Sequence, residues 1–153
     1  MGLFSRKPKV EPVIMYLIDE KADDYFFDIV GESRCYDHLR QLIRQAPADA
    51  RDACEIETLA ELVPEPTNEF DPNAIQVWIS GGRVGYIGRT DAPAIHGVLN
   101  RAWAAGGARA ILPARIGWNG DYADPLIGVR LRLSNDLDGV RPMTREQLEA
   151  ESQ

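Results

Sequence analysis

Residues 74–89 read AIQVWISGGRVGYIGR, and this stretch decides the fold. Apolar and polar residues alternate from Ala74 to Ser80, which predicts a strand with one buried face and one exposed face. Gly81-Gly82 predicts a two-residue hairpin turn, because glycine accepts the positive φ angles that such turns require. Arg83–Arg89 is then the returning strand, so the sequence predicts a β-hairpin at the centre of the fold.

Further strands and two helices are predicted on both sides of this hairpin. One helix extends from an N-cap at Ser33 to Pro47, and the other is capped by Thr90 or Asp91 and carries Pro93 in its first turn. The other predicted strands are Val13–Ile18, Tyr25–Gly31, Cys54–Val63, Ala108–Trp118 and Leu126–Ser134. This order predicts an α+β fold, a small OB-like, partly closed β-barrel of about six strands with two flanking helices.

The composition along the chain predicts one domain with two extensions. The 153 residues suffice for a single domain with its own core. Residues 1–24 are predicted to be an N-terminal arm, since they begin with a polar run broken by proline. Residues 25–134 form the predicted domain. Residues 135–153 are acidic and lack apolar periodicity, so we expect a C-terminal tail there.

The charge distribution limits the nucleic acids that the chain can bind. A net charge of −7 argues against sequence-independent coating of duplex DNA, which needs a broad basic face. The charge is unevenly spread, with eight acids and one arginine in Asp49–Asp71 but five arginines and one acid in Arg83–Trp118. The second stretch leaves room for a small arginine-lined groove that holds a few phosphates.

Several classes of function are disfavoured by what the sequence lacks. Cys35 and Cys54 are isolated thiols, and no apolar run approaches the ~20 residues of a membrane span, so we expect a cytoplasmic protein without membrane contact. His38 and His96 lie outside any cluster of metal ligands. Every lysine lies at or before residue 21, so the lysine of a metal-dependent nuclease motif is missing. We therefore predict no enzymatic activity, no metal and no cofactor.

Two motifs carry a family resemblance. Residues 62–77 read LVPEPTNEFDPNAIQV, residues 82–87 read GRVGYI, and Val30–Ser33 supplies an opening strand and turn. Together they resemble the HIRAN domain family over about Phe26 to Leu133. The resemblance implies a barrel related to OB folds that, in fork-remodelling DNA translocases, grips single-stranded DNA at its free 3′ end.

The loop after Pro66 supplies the first candidate binding residues. Asp71-Pro72-Asn73 has the chemistry of a tight turn and is predicted to project Asn68, Phe70 and Asp71 at one rim of the barrel. Phe70 can stack on a base, and the Asp71 carboxylate can accept a hydrogen bond from a terminal 3′ hydroxyl. Two structural alternatives stay open, since Phe70 can instead be buried under the loop and Asp71 can serve the turn alone.

The remaining candidate residues come from the hairpin, the opening turn and the arginine-rich stretch. Tyr86 follows a glycine where a ligand could approach, although it can equally fill the barrel. Arg89 and Arg115 are predicted to contact phosphates. In the HIRAN family a pair of aromatic residues follows the opening turn, and one of them helps to sandwich a base. In this sequence Arg34 and Tyr36 are the nearest equivalents, because an arginine can also stack on a base through its guanidinium plane.

Two functions follow from these residues. The first is a non-catalytic module that binds single-stranded DNA, with the 3′ end as its specific target. The alternative is a protein-interaction module that keeps the fold and has lost the DNA site, using the acidic face of Glu55, Glu57 and Glu61. Because the chain has no motor or nuclease motif, a protein partner would supply any catalytic or motor activity.

Overall fold

The computed structural model describes residues 11–153, so the basic run Arg6–Lys9 of the predicted arm lies outside the described residues. The strands over this range are β1 (Ile14–Asp19), β2 (Phe27–Asp28), β3 (Glu55–Pro64), β4 (Ile75–Ile79), β5 (Gly82–Tyr86), β6 (Arg109–Trp118), β7 (Ile127–Leu131) and β8 (Val140–Met143). The α-helices are α1 (Tyr36–Arg44), α2 (Ala48–Ala53), α3 (Ala92–Ala104) and α4 (Arg145–Glu151). Two 3₁₀ turns, Glu32–Cys35 and Leu137–Gly139, complete the described part. The predicted α+β class is confirmed.

Six of the strands form one strongly curled sheet in the order β2-β7-β6-β3-β4-β5. Val30, two residues after β2, forms a single bridge with Tyr86 of β5, in which the two residues exchange backbone hydrogen bonds of 2.8 Å in both directions. The sheet is otherwise open, which makes it a half-barrel. The predicted OB-like, partly closed barrel of about six strands is therefore confirmed.

The long strand β6 changes partners along one of its edges. Its other edge pairs with β3 from Ala110 to Gly117. The changing edge pairs with β1 near Arg109 and with β7 from Ala114 to Trp118. Pro113, which has no backbone N–H to donate, lies between these two stretches, where a ladder hydrogen bond is least needed. This exchange attaches β1, and through it β8, to the half-barrel.

One hydrophobic cluster fills the inside of the curl and extends under the helices. Buried residues that point inward alternate with more exposed residues that point outward along β4, β6 and β7. The largest fully buried members include Ile75, Ile79, Leu112, Ile116 and Leu131 from the strands, Leu39 and Ile43 from α1, and Ile95 and Leu99 from α3. Both predicted helices therefore flank the sheet by their apolar faces.

The central hairpin forms as predicted but turns one residue earlier. Ile79 pairs with Gly82, so the two loop residues are Ser80 and Gly81, with φ angles of 49° and 80°. Gly82 is the first residue of β5. The His38 ring lies against it, and a Cβ at this position would come within 2.5 Å of that ring. The predicted turn at Gly81-Gly82 is thus wrong by one position, because packing against α1 requires the second glycine.

Two further local predictions are wrong near the start of α1. Only Phe27–Asp28 of the predicted strand Tyr25–Gly31 joins the ladder, apart from the bridge at Val30. Ser33 does not cap the helix, because Gly31 at φ 79° starts a 3₁₀ turn in which the Arg34 N–H bonds to the Gly31 carbonyl. The second helix begins after Asp91, one of its two predicted N-caps, with proline in the first turn, although the Asp91 side chain makes no capping hydrogen bond.

The two helices missed from the sequence lie outside the periodic segments. Six-residue α2 buries none of its side chains, so it carries no apolar stripe. Residues 135–153 are not the aperiodic tail that was predicted. Val140 and Met143 are buried as β8 pairs with β1, and a capping box between Thr144 and Gln147 begins α4.

Candidate nucleic-acid interface

The segment Glu65–Ala74 between β3 and β4, the rim loop, is held by its own side chains. The Asn68 side-chain oxygen accepts hydrogen bonds from the backbone N–H groups of Phe70 and Asp71, both at 2.9 Å. Asp71 Oδ1 accepts from the Asn73 N–H at 2.9 Å, and its carbonyl accepts from Ala74 at 3.0 Å. These are the local bonds by which Asn and Asp stabilise turns. Asn68 and Asp71 therefore both serve the shape of the loop.

Phe70 points away from the protein at the tip of the rim loop. Its exposed fraction is 88%, the highest among the large hydrophobic residues of the described chain. The structural alternative, a ring buried under the loop, is therefore not what the structure contains. The backbone of Phe70 is fixed by Asn68 while its ring is left without packing, and such a ring is available to stack on a flat partner.

A hydrogen-bonded network connects the rim loop to the hairpin. Asn68 donates to Glu65 at 3.3 Å, the Tyr86 hydroxyl donates to the same carboxylate at 3.0 Å, and Arg83 donates to the Tyr86 hydroxyl at 3.0 Å. The Arg83 guanidinium also lies over the Tyr86 ring, 5.1 Å from its centroid. Sequence reasoning missed Glu65 and Arg83, although Arg83 belongs to the same short motif as Tyr86.

The network also shifts the acidities of its members. Hydrogen bonds from Gln76, Asn68 and Tyr86 hold the pKa of the Glu65 carboxyl below its ordinary value. Burial raises the pKa of the Tyr86 phenol, and the neighbouring Glu65 acts in the same direction. Glu65 therefore stays an acceptor at neutral pH, and Tyr86 stays a donor.

Gly85 and Tyr86 lie where the half-barrel closes, and this closure explains why these two residue types occur there. A Cβ at Gly85 would lie 2.5 Å from the Val30 carbonyl oxygen, so the close approach at this glycine is made by the protein's own backbone. The Tyr86 ring is half-buried beside Gly31 and bonded through its hydroxyl. Tyr86 thus supports the rim, and only part of its ring faces solvent.

Two of the predicted arginines, Arg34 and Arg89, are exposed. Arg89 lies two residues after Ile87, whose N–H bonds to the Ile75 carbonyl at the return of the loop. Arg34 lies in the 3₁₀ turn that starts at Gly31. Within residues 11–153 neither guanidinium makes a hydrogen bond or an ion pair, so both charges are free to meet a phosphate.

Tyr36 is engaged at the edge of β7. Its hydroxyl accepts from the Ile127 N–H at 3.1 Å and faces the Ile127 carbonyl at 3.5 Å. The Val129 N–H next along β7 bonds to the Glu32 carboxylate at 3.2 Å. β2 pairs only with Arg130 and Leu131 of β7. The Tyr36 and Glu32 side chains therefore bond to N–H groups of β7 that lie beyond this pairing. The structure therefore places Tyr36 in a supporting role, away from the rim loop.

Arg115 lies on the outer sheet face, the solvent side of β3, β6 and β7. It pairs with Asp24 at 3.4 Å and Glu55 at 3.6 Å, and its guanidinium lies 5.0 Å from the centroid of the Tyr25 ring. Its cross-strand neighbour Glu57 precedes the end of β3 by seven residues, about 23 Å at roughly 3.3 Å per residue. Arg115 and the rim loop thus occupy opposite ends of the sheet.

The acidic face predicted on β3 is interleaved with arginines. Glu61 binds Arg109 through two hydrogen bonds of 2.7 and 3.0 Å, and Glu55 pairs with Arg115. Arg130 of β7 pairs with Asp28 at 2.9 Å. The outer sheet face is thus a pattern of neutralised pairs and not a continuous acidic surface.

Comparisons of this chain with protein-family models, with curated proteins and with solved structures find no match. No helix within residues 11–153 is both long enough and apolar enough to cross a membrane. The same described range contains no group of three or more His, Cys, Asp or Glu side chains arranged to hold a metal ion.

Proposed function

We propose that this protein is a non-catalytic, HIRAN-like module that binds single-stranded DNA through its rim loop. The observation that carries the proposal is the Phe70 ring, 88% exposed on a loop whose backbone is fixed by Asn68. Stacking of a base on an aromatic ring is worth about 1–3 kcal/mol. Because hydrogen bonds already fix the backbone of the loop, stacking of a base on Phe70 orders the side chain alone and not the loop.

The charges around the loop support a short contact with few phosphates. Arg89 and Arg34 are exposed and free of ion pairs within the described residues, whereas Arg115 is neutralised far from the loop. Glu65, Glu69 and Asp71 lie in the same loop and repel a long polyanion. We therefore expect weak, salt-sensitive binding with a log–log slope near −1.4, at about −0.7 for each of two phosphates on a single strand.

The 3′ end is the part of a single strand that best fits the acidic loop. Asp71 Oδ1 closes the turn to Asn73, while its second oxygen makes no hydrogen bond within the described chain. That oxygen can accept from a terminal 3′ hydroxyl, whereas a 3′ phosphate would meet a carboxylate of the same sign. Our proposal therefore includes preference for a free 3′ hydroxyl.

The first prediction concerns Phe70→Ala, measured by fluorescence anisotropy with a short single strand labelled at its 5′ end. Losing the stacking surface should weaken binding roughly fivefold or more. Leu126→Ala is the matched control, because Leu126 is 70% exposed but lies in the loop before β7. Equal losses in both variants, or no binding of the wild-type protein at low salt, would refute the proposal.

A protein-interaction module is the second candidate. The observation in its favour is that Tyr36 and Arg115, two of the predicted DNA contacts, are occupied within the fold. Reversing the charge of Glu57, the member of the predicted acidic face without an ion pair within the described residues, should then weaken capture of the partner, whereas Glu55 and Glu61 are engaged by Arg115 and Arg109. Such a partner would survive nuclease treatment in a pull-down, whereas one bridged by DNA would be lost.

A further inference from the structure

His96 of α3 holds the end of the rim loop. Its Nε2 atom lies 3.0 Å from the backbone carbonyl oxygen of Asn73. The backbone N–H of Asn73 bonds to Asp71 Oδ1 at 2.9 Å, so one residue of the loop is bonded to Asp71 through its N–H and to His96 through its carbonyl. His96 therefore contacts the turn that contains Asp71, the residue proposed to accept the 3′ hydroxyl.

The partner of His96 fixes which nitrogen of the ring carries the hydrogen. A carbonyl oxygen can only accept a hydrogen bond, so Nε2 must donate. Nδ1 is then the nitrogen that takes up a proton, and it has no hydrogen-bond partner within the described residues. Both nitrogens of a charged histidine are donors, so protonation leaves the bond to Asn73 in place. The charge of His96 can therefore change while the rim loop keeps its shape.

The groups around the His96 ring are neutral or acidic. The residues one turn away on α3 are uncharged: Ala92, Pro93, Leu99 and Asn100. The rim loop contains three titratable groups, all of them carboxylates: Glu65, Glu69 and Asp71. His96 is the fifth residue of α3, beyond the first turn, where the repulsion of a positive charge by the helix dipole has largely faded. A proton on His96 thus places a positive charge against an acidic loop.

We propose that His96 makes binding of a single strand at the rim loop pH-dependent, with tighter binding when the histidine is protonated. This inference rests on the proposed function and adds a regulated contact to the same site. Histidine is the side chain whose charge ordinarily changes between about pH 5 and pH 8. When His96 is neutral, the rim loop has only carboxylates to meet a phosphate. When His96 is charged, the phosphate meets a cation that is bonded to the loop itself.

The test measures the fluorescence anisotropy of a thymidine-only strand with a pH-insensitive label at about pH 8 and about pH 5.5, at one ionic strength. Thymine does not change charge in this range, so a change in affinity comes from the protein. One more phosphate contact adds about 0.7 to the salt slope, which is roughly fivefold in affinity at about 0.1 M salt. We therefore expect the wild-type protein to bind roughly fivefold more tightly at the lower pH, with a salt slope steeper by about 0.7.

Two substitutions at His96 separate its charge from its role in the loop. His96→Gln keeps an N–H donor for the Asn73 carbonyl but cannot be charged, so its affinity should be the same at both pH values. His96→Lys is charged at both pH values and should bind at the higher pH as tightly as the wild type binds at the lower pH. A residue that only supported the shape of the loop would not bind DNA more tightly as lysine.

His38 provides the matched control, because it is the other histidine of the chain. Its Nε2 atom bonds to the Ile79 carbonyl at 2.7 Å, at the turn of the hairpin. His38→Gln should keep the wild-type pH dependence. Equal wild-type affinity at both pH values, or a pH dependence that persists in His96→Gln, would overturn this inference and leave the DNA-binding proposal standing. A wild-type protein that binds no single strand at either pH would refute both proposals.

Discussion

The surroundings of the rim loop and the outer sheet face both contain exposed arginines, and the two regions differ in how these charges are paired. Arg109, Arg115 and Arg130 on the outer sheet face are each paired with a carboxylate. Arg34 and Arg89 make no such pair within residues 11–153. The number of arginines in a stretch therefore says little about where a phosphate can bind. Whether a carboxylate already pairs with an arginine decides whether a phosphate can bind there.

The two regions also differ in how they expose apolar groups. The rim loop presents Phe70 on a backbone fixed by side-chain hydrogen bonds. The outer sheet face instead presents a bare glycine pair, Gly117 opposite Gly128, inside a cavity. The first region therefore exposes an aromatic ring, whereas the second exposes backbone.

The largest expected effect comes from Gly85→Ala, which disturbs the bridge between Val30 and Tyr86 beneath the rim loop. The new methyl carbon would lie 2.5 Å from the Val30 carbonyl oxygen and 2.8 Å from the Ile29 side chain. Overpacking of this kind costs about 1–3 kcal/mol, so the free energy of unfolding in urea should fall by that amount. Gly97→Ala, which has open space, should instead leave stability equal or higher. Unchanged stability of Gly85→Ala would show that the bridge at Val30 does not hold the rim.

The next effect concerns the terminal group of the DNA. A charge-assisted hydrogen bond is worth roughly 1.5–3 kcal/mol, so wild-type protein should prefer a 3′ hydroxyl to a 3′ phosphate about tenfold or more. Asp71→Asn should remove most of this preference, because an amide can bond to either end and repels neither. It keeps the side-chain oxygen that closes the turn to Asn73. Equal binding of both ends by the wild type would leave Asp71 a turn residue only.

A matched pair of arginine variants sharpens the comparison of the two regions. Arg89→Ala should reduce the salt slope of DNA binding by about 0.7, the contribution of one phosphate on a single strand. Arg115→Ala should leave that slope unchanged and instead lower the free energy of unfolding by about 1 kcal/mol, through its lost ion pairs and its contact with Tyr25. The opposite pattern would place the DNA on the outer sheet face.

Much of the fold could be predicted because its strands alternate in hydrophobicity. The hairpin, β3, β6, β7 and α3 all have clear apolar periods, and each formed within a few residues of its predicted bounds. Helix α2 buries no side chain, so its sequence has no apolar periodicity from which a helix could be predicted. The capping box at Thr144 could have predicted α4 from the sequence, but the acidic composition of residues 135–153 favoured the prediction of a tail.

The candidate site could be predicted only where its contacts are local. The turn chemistry of Asn68 and Asp71 depends on neighbours two or three residues away, and the sequence shows these directly. Pairing of the arginines depends on distant residues, since Arg115 meets Asp24 across 91 positions and Arg109 meets Glu61 across 48. Sequence spacing carries no information on such contacts, so Arg115 could not be distinguished from Arg89.

The smallest expected effect is a pH dependence of the network beneath the rim loop. Hydrogen bonds from Gln76, Asn68 and Tyr86 lower the pKa of Glu65 in the folded protein from its ordinary value of 4.5. A carboxyl whose pKa is lower in the folded state stabilises the fold above its unfolded pKa, and this contribution is lost as the pH falls through the folded pKa. The difference in the free energy of unfolding between the wild type and Glu65→Gln, measured in urea, should therefore become smaller as the pH is lowered below about 4.5. Glu69→Gln, which removes the same charge from the same loop without touching the network, gives the background. A Glu65→Gln difference that stays constant across this range would show that the network does not depend on the carboxylate charge.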